Sequence, residues 1–208
     1  MSVRVVLVED HVAYRDSFQL ALSRESSFEI VGVAGRAHDA PGVIEQTKPD
    51  LAVIDFLLPD GNGVSLVREL KRRRLRIQSL ILGRIAHPLL VRDAFRAGVS
   101  GFVHKQESLE VIKEAMNLVS HGQQYVSPLL RRQLRDAIND EVPLGRLSHR
   151  EREILFLLIE GQSSKEIGSA LFLSAKTVDA HRLHINRKLG VRSPAGLTRF
   201  VADNGLLG

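Results

Sequence analysis

The sequence predicts an α/β domain, a doubly wound parallel sheet of five strands with helices on both faces, followed by a small all-α domain. Three observations predict it. Five short, β-rich apolar runs alternate with helical patterns over residues 3–121. The runs are apolar along their length, as strands covered on both faces are. From residue 147 onward the periodicity is helical only, which separates a second domain from the first.

The strands are VRVVLV at 3–8, FEIVGVA at 28–34, LAVID at 51–55, SLILG at 79–83 and GFVH at 101–104. Gly122, Pro128, Pro143 and Gly145 punctuate a polar stretch at 122–146, read as an interdomain linker. Inside it Pro128 suits the first turn of a short helix, whose Leu130, Leu134 and Ile138 form a stripe that docks on one of the domains. In the C-terminal part, Ser148 with Glu151 and Ser163 with Glu166 are capping boxes, each opening a helix. Gly161 and Gly190 close the first and third helices, and Ser174 caps the third at its start. The expected domains are therefore 1–121, a linker at 122–146 with a short helix, and 147–208.

Composition narrows the function classes. The chain has 208 residues and no cysteine, which excludes disulfides, thiolate metal sites and cysteine nucleophiles and agrees with a reducing cytoplasm. The N-terminal MSVRVVLVED meets acids too early for a signal peptide, and no apolar run approaches the ~18 residues of a membrane span. A cytoplasmic protein is expected. Of the net charge of +5, nearly all is C-terminal: ten Lys/Arg against six Asp/Glu from residue 146 onward, compared with 19 against 18 before it. A polyanionic partner is expected for that part alone. The basic run KRRRLR at 71–76 reads as a solvated helix end, its cations near the C-terminal dipole.

In an open parallel sheet, ligands bind beyond the carboxyl ends of the strands. The residues there are Glu9, Asp10, Asp55, Gly83 and Lys105. Crowded carboxylates repel one another, and a hard divalent cation such as Mg²⁺ relieves that repulsion while keeping waters and a phosphate oxygen as ligands. With such a cation one carboxylate can act as a nucleophile toward phosphorus. Asp55 is the candidate, because its strand is the most apolar and runs into a rigid turn at Pro59, Gly61 and Gly63. Lys105 would neutralise a phosphoryl oxygen.

VLVEDH with Glu9 and Asp10, the D-x-x-x-P-x-x-x-G run of Asp55, Pro59 and Gly63, and AGVSGFVHK ending at Lys105 together resemble the receiver domain of two-component response regulators. The resemblance covers about residues 3–121 and implies a flavodoxin-like (βα)₅ fold. It also implies Mg²⁺ held by Glu9, Asp10, Asp55 and the Leu57 carbonyl, with phosphoryl transfer to Asp55 from a sensor histidine kinase. Phe102 falls where receivers keep a switch aromatic. One departure stands out: Gly83 occupies the position where such receivers carry a Thr or Ser hydroxyl that follows the phosphoryl group. Water or the Arg84 guanidinium would have to stand in for it.

The third C-terminal helix, about 175–189, splits into two faces. Val178, Ile185 and Leu189 point inward, while Lys176, Asp179, Ala180, Leu183 and Arg187 fall on another face. With Lys176, Arg182, Arg187 and Lys188 it has the cations of a recognition helix. Residues 147–207 resemble the LuxR-type helix-turn-helix domain nearly throughout. The resemblance implies that Lys165, Lys176, Thr177, His181, Arg182 and Lys188 meet DNA phosphates or pack beside them, that Asp179, Ala180 and Leu183 face base edges, and that a last helix near 194–203 pairs two subunits. Ser164 replaces a usual Asn. Asp179 either accepts from a cytosine amino group or pairs with Arg182 or Lys176. His181 and His184 lie one turn apart with no third metal ligand in view.

The expected protein is a DNA-binding transcriptional response regulator and not an enzyme, in which Mg²⁺-dependent phosphorylation of Asp55 shifts dimerisation and DNA binding. The alternative is an atypical receiver that binds DNA independently of phosphate because of Gly83. An aspartyl-phosphate phosphatase is disfavoured by the lack of a separate general acid.

Overall fold

The computed structural model describes residues 2–84, 88–136, 143–159, 161–171, 173–191 and 193–203. Ile138, part of the expected linker stripe, lies outside them, as does the side chain of Leu134. The chain divides into two compact units, one from Met1–Arg84 and Ala94–Arg131, the other from Ile85–Asp93 and Arg132–Gly208.

In chain order the elements up to the linker are β1 (Val3–Val8), α1 (Val12–Leu22), β2 (Phe28–Ala34), α2 (Ala40–Thr47), β3 (Leu51–Asp55), a small hairpin of β4 (Leu57–Leu58) and β5 (Gly61–Asn62), α3 (Gly63–Arg72), β6 (Gln78–Gly83), α4 (Pro88–Ala97), β7 (Gly101–His104) and α5 (Leu109–Ser120). β8 (Tyr125–Val126) and α6 (Pro128–Asp136) follow. The sheet is parallel, in the order β2-β1-β3-β6-β7-β8. Its first five members have the doubly wound order in which the chain direction reverses beside β1, opening a crevice at the carboxyl ends of β1 and β3. All of β3 is buried, and Val5, Leu7, Val53, Leu80, Leu82 and Val103 form the core with Phe18 and Met116. That full burial explains why the strands read as unbroken apolar runs.

β8 was not expected. Tyr125 pairs with Gly101 and is buried, so the predicted linker begins as a sixth strand, and Leu130 of α6 is fully buried as well. A two-residue strand carries no periodicity by which a sequence could reveal it. The basic run at 71–76 is a helix end as expected: Arg72 and Arg73 both donate to Glu69, at 2.8 and 2.7 Å. Those hydrogen bonds, Arg72's first, hold the Glu69 carboxyl down at about 2.

The helical elements are α7 (His149–Ile159), α8 (Ser164–Leu171), α9 (Ala175–Leu189) and α10 (Pro194–Asp203), preceded by a 3₁₀ turn at Pro143–Arg146. Both capping boxes form. Ser148 N–H donates to Glu151 at 2.7 Å and Glu151 N–H to Ser148 Oγ at 3.2 Å; the Ser163 and Glu166 pair repeats this at 2.7 and 3.3 Å. Ser174 Oγ accepts from Thr177 N–H, and Gly190 ends α9 in the left-handed region at φ 70°.

The turn between α8 and α9 depends on Gly168. A Cβ there would stand 2.7 Å from the Leu173 carbonyl oxygen, while Leu173 N–H donates to the Gly168 carbonyl at 2.8 Å. Backbone on both sides leaves little room to yield. Gly168→Ala is expected to destabilise the helical unit by about 1–2 kcal/mol, the overpacking cost outweighing the ~1 kcal/mol of helix propensity that alanine brings. Chemical unfolding measures this, and a stabilised variant would contradict the packing account.

Candidate functional site

Parallel pairing of Val8 with Ile54 brings the residue after β1 level with the end of β3. Glu9, Asp10, His11 and Asp55 consequently each place one ligand atom within 4.8 Å of the others. Glu9 and Asp55 are buried, at 1% and 5% exposure, where an unpaired carboxylate is costly. Lys105, just beyond β7, supplies the countercharge: its Nζ donates to Glu9 Oε2 at 2.8 Å and to Asp55 Oδ2 at 2.7 Å. Lys105 N–H donates to the Gly83 carbonyl at 2.9 Å, which fixes where the side chain leaves the backbone. Leu57 lies two residues beyond the acid, and its N–H donates to Asp55 Oδ1 at 3.3 Å.

The electrostatics are strained in one direction. Burial pushes the Asp55 carboxyl up to about 7, with Lys105 pulling against the shift and Glu9 adding to it. Burial alone would lower Lys105, and the Asp55 and Glu9 charges and hydrogen bonds outweigh it, so its ammonium is held above the usual range. One more positive charge would relieve this cluster. Asp10 Oδ1 is buried and makes no hydrogen bond, although His11 Nδ1 lies 3.2 Å away. Oxygen donors with an orphaned carboxylate oxygen among them suit a hard divalent cation.

Two neighbours were missed in the sequence. His11 bonds Glu9 Oε1 through both its N–H and Nδ1, each at 3.1 Å. Tyr14 places its ring 4.6 Å from Lys105 Nζ and is half-buried, and burial raises its hydroxyl pKa. A signal existed: His11 directly follows the acid pair as the N-cap of α1, and Tyr14 lies in that helix's first turn.

At Gly83 the structure answers the question of the missing hydroxyl. A Cβ there would stand 2.9 Å from Phe102 Cε1, 3.1 Å from Phe102 Cζ and 3.3 Å from Phe56 Cβ. Phe102 is fully buried and packs on Phe56 with ring centroids 5.9 Å apart. The aromatic ring thus fills the place a threonine side chain would take. Arg84 is exposed, and among the described residues no hydrogen bond joins it to Asp55 or Lys105.

On the helical unit, Val178 and Ile185 are fully buried and seat α9, while Leu189 is only half-buried. Lys176, Thr177, Asp179, Ala180, Leu183, Arg187 and, from α8, Lys165 are exposed, and His181 is half-buried. Two of the expected cations are engaged within the protein. Lys188 Nζ donates to Glu151 at 2.7 Å, and Arg182 donates to Ser164 Oγ at 2.8 Å. No third ligand gathers with His181 and His184 among the described residues.

Residues 5–117 match the response regulator receiver domain, and residues 145–201 match the bacterial regulatory proteins of the luxR family. The chain belongs to the two-component response regulators that join a receiver to a luxR-family helix-turn-helix domain. It is 34% identical to the DNA-binding transcriptional activator DevR/DosR of Mycobacterium tuberculosis, over 97% of this chain and 94% of that protein. With the response regulator protein VraR of Staphylococcus aureus it shares 32% identity over the full length of both. The RcsB response regulator of Salmonella typhimurium has the same fold, with a TM-score of 0.81 at 21% identity, covering 97% of this chain and 98% of that one. No helix among the described residues is long and apolar enough to cross a membrane.

Proposed function

We propose that this chain is a DNA-binding transcriptional response regulator switched by phosphorylation of Asp55 at the expense of a sensor histidine kinase. The observation that carries the reading is the convergence of Glu9, Asp10 and Asp55 on one rim, with Lys105 bridging the two buried acids at 2.8 and 2.7 Å. Glu9, Asp10, Asp55 and the Leu57 carbonyl would hold Mg²⁺. A bound Mg²⁺ supplies positive charge against the oxygens of the transferring phosphoryl group.

An Asp55 carboxylate oxygen attacks phosphorus as the bond to the donor histidine nitrogen breaks, and that nitrogen leaves with the electron pair. Lys105 turns from Asp55 to a phosphoryl oxygen, exchanging one anionic partner for another. The added charge shifts a balance between conformations. Dimerisation and use of the exposed α9 face follow, with α10 pairing the subunits on a two-fold DNA site. Such a regulator works in the cytoplasm and catalyses no reaction on a separate substrate. The name of the DevR/DosR relative supports the DNA-binding half of this reading.

The test is incubation with Mg²⁺ and a small phosphodonor, read by intact mass and by the monomer–dimer balance. One phosphate adduct with more dimer is expected, and Asp55→Asn is expected to lose it. A stable adduct on that variant would overturn the assignment.

The contact between Gly83 and Phe102 favours a second reading, in which the receiver has no hydroxyl to follow the phosphoryl group and DNA binding is independent of phosphate. Equal DNA affinity of the phosphorylated and bare forms would establish it.

A further inference from the structure

We propose that Ser164 is a positioning residue for base recognition, holding the Asp179 carboxylate to accept from a cytosine, with Leu183 reading a thymine methyl one turn further along α9. The proposal rests on the DNA-binding reading above and specifies what the helix selects.

Ser164 opens α8, and its hydroxyl donates to Asp179 Oδ1 at 2.6 Å across to α9. The same hydroxyl accepts from Arg182 Nη1 at 2.8 Å. A serine has one proton to donate, so this geometry spends it on Asp179 and fixes the direction of the bond. Arg182 itself stands 3.9 Å from Asp179 Oδ1, too far for a hydrogen bond. The serine, placed between them, therefore orients the acid; of the two readings of Asp179 left open by the sequence, the pairing with Arg182 is present as an ion pair at 3.9 Å, and the cytosine contact is the one proposed. Oδ1 is held within the protein, and among the described residues Oδ2 carries no partner.

The exposed acid stands on a face whose other charges, Lys176 and Arg187, are cationic. Phosphates repel a carboxylate, so on DNA its favourable contact is a base edge that only donates. In the major groove cytosine offers its amino group alone, whereas adenine sets an acceptor nitrogen beside its amino group. Asp179 lies near the start of α9, the part of a recognition helix that meets base edges. Leu183 is 67% exposed, a large apolar side chain left mostly to solvent. It lies four residues on, about 6 Å along the axis, within about two base pairs of the cytosine. An apolar side chain at that place suits the thymine methyl.

The experiment is selection of random double-stranded DNA by the full-length chain, incubated with Mg²⁺ and a small phosphodonor, followed by sequencing of the retained DNA. The wild type is expected to prefer cytosine at one position by about 5- to 100-fold, with thymine favoured within two positions. Ser164→Ala is expected to reduce the cytosine preference to below about 3-fold and to leave the thymine preference unchanged. Ser164→Thr, which keeps the hydroxyl, is expected to restore it. Asp179→Asn is expected to move the preference from cytosine to adenine, a readout that a merely structural staple between α8 and α9 would not produce. Retained DNA with an undiminished cytosine preference in Ser164→Ala overturns this proposal alone. No DNA retained by the wild type at any salt overturns the DNA-binding reading as well.

Discussion

Gly83→Thr is expected to destabilise the receiver unit by about 2–3 kcal/mol, the cost of forcing branched atoms into a filled core. The new Cβ would meet the Phe102 ring at 2.9 and 3.1 Å, and Phe56 closes the other side at 3.3 Å. Phe102 has no exposed surface, so it must leave the interior or strain its rotamer. Phe102→Leu shortens the side chain and frees the space. The double variant Gly83→Thr/Phe102→Leu is therefore expected to be more stable than the sum of the two single changes by at least about 1 kcal/mol. Denaturant midpoints of the four proteins measure the coupling. Additive effects would mean that Gly83 and Phe102 are not one packing unit, and the phosphate-independent reading would lose its physical basis.

The second large effect is on stability against pH. The Asp55 carboxyl, 3.8 in its ordinary state, is pushed up to about 7 in the fold, by burial first. Between those values the folded chain holds a proton that the unfolded chain has released. The contribution of Asp55 to stability therefore falls as pH rises from about 4 to about 7 and stays lowered above it. Asp55→Asn removes this titration. In metal-free buffer at pH 8 the variant is expected to be more stable than the wild type by about 1–3 kcal/mol, with the gap closing below pH 4. Adding Mg²⁺ at pH 8 is expected to raise the melting temperature of the wild type and to leave that of Asp55→Asn nearly unchanged, since the ion binds the ionised acid. A wild type that gains stability relative to Asp55→Asn from pH 4 to 8 without metal would contradict the buried, strained carboxylate.

Much of the receiver was legible because its signals are local. Asp55 at the end of LAVID, followed by Pro59, Gly61 and Gly63, reads as a strand emerging at a rim. Strands buried on both faces leave unbroken apolar runs, and amphipathic helices leave a 3.6-residue stripe, so architecture can be read from a short window. The same holds for the capping boxes at Ser148 and Ser163 and for Gly190, whose partners are a few residues away. The basic excess beyond residue 146 marked the helical part as the one to meet a polyanion.

What the sequence by itself determined is thus the order of elements, the strand-end acids with Lys105, and the two-faced α9. Only the tertiary structure decided which groups answer one another across the fold. It set Phe102 into the space at Gly83, tied Lys188 to Glu151, joined Ser164 to Asp179, and drew His11 and Tyr14 to the acids. It also turned Tyr125 into a sixth strand. Periodicity records whether a residue faces the core or solvent and says nothing of its partner there. Partners depend on distances of a few ångströms between segments far apart in sequence, which packing alone fixes.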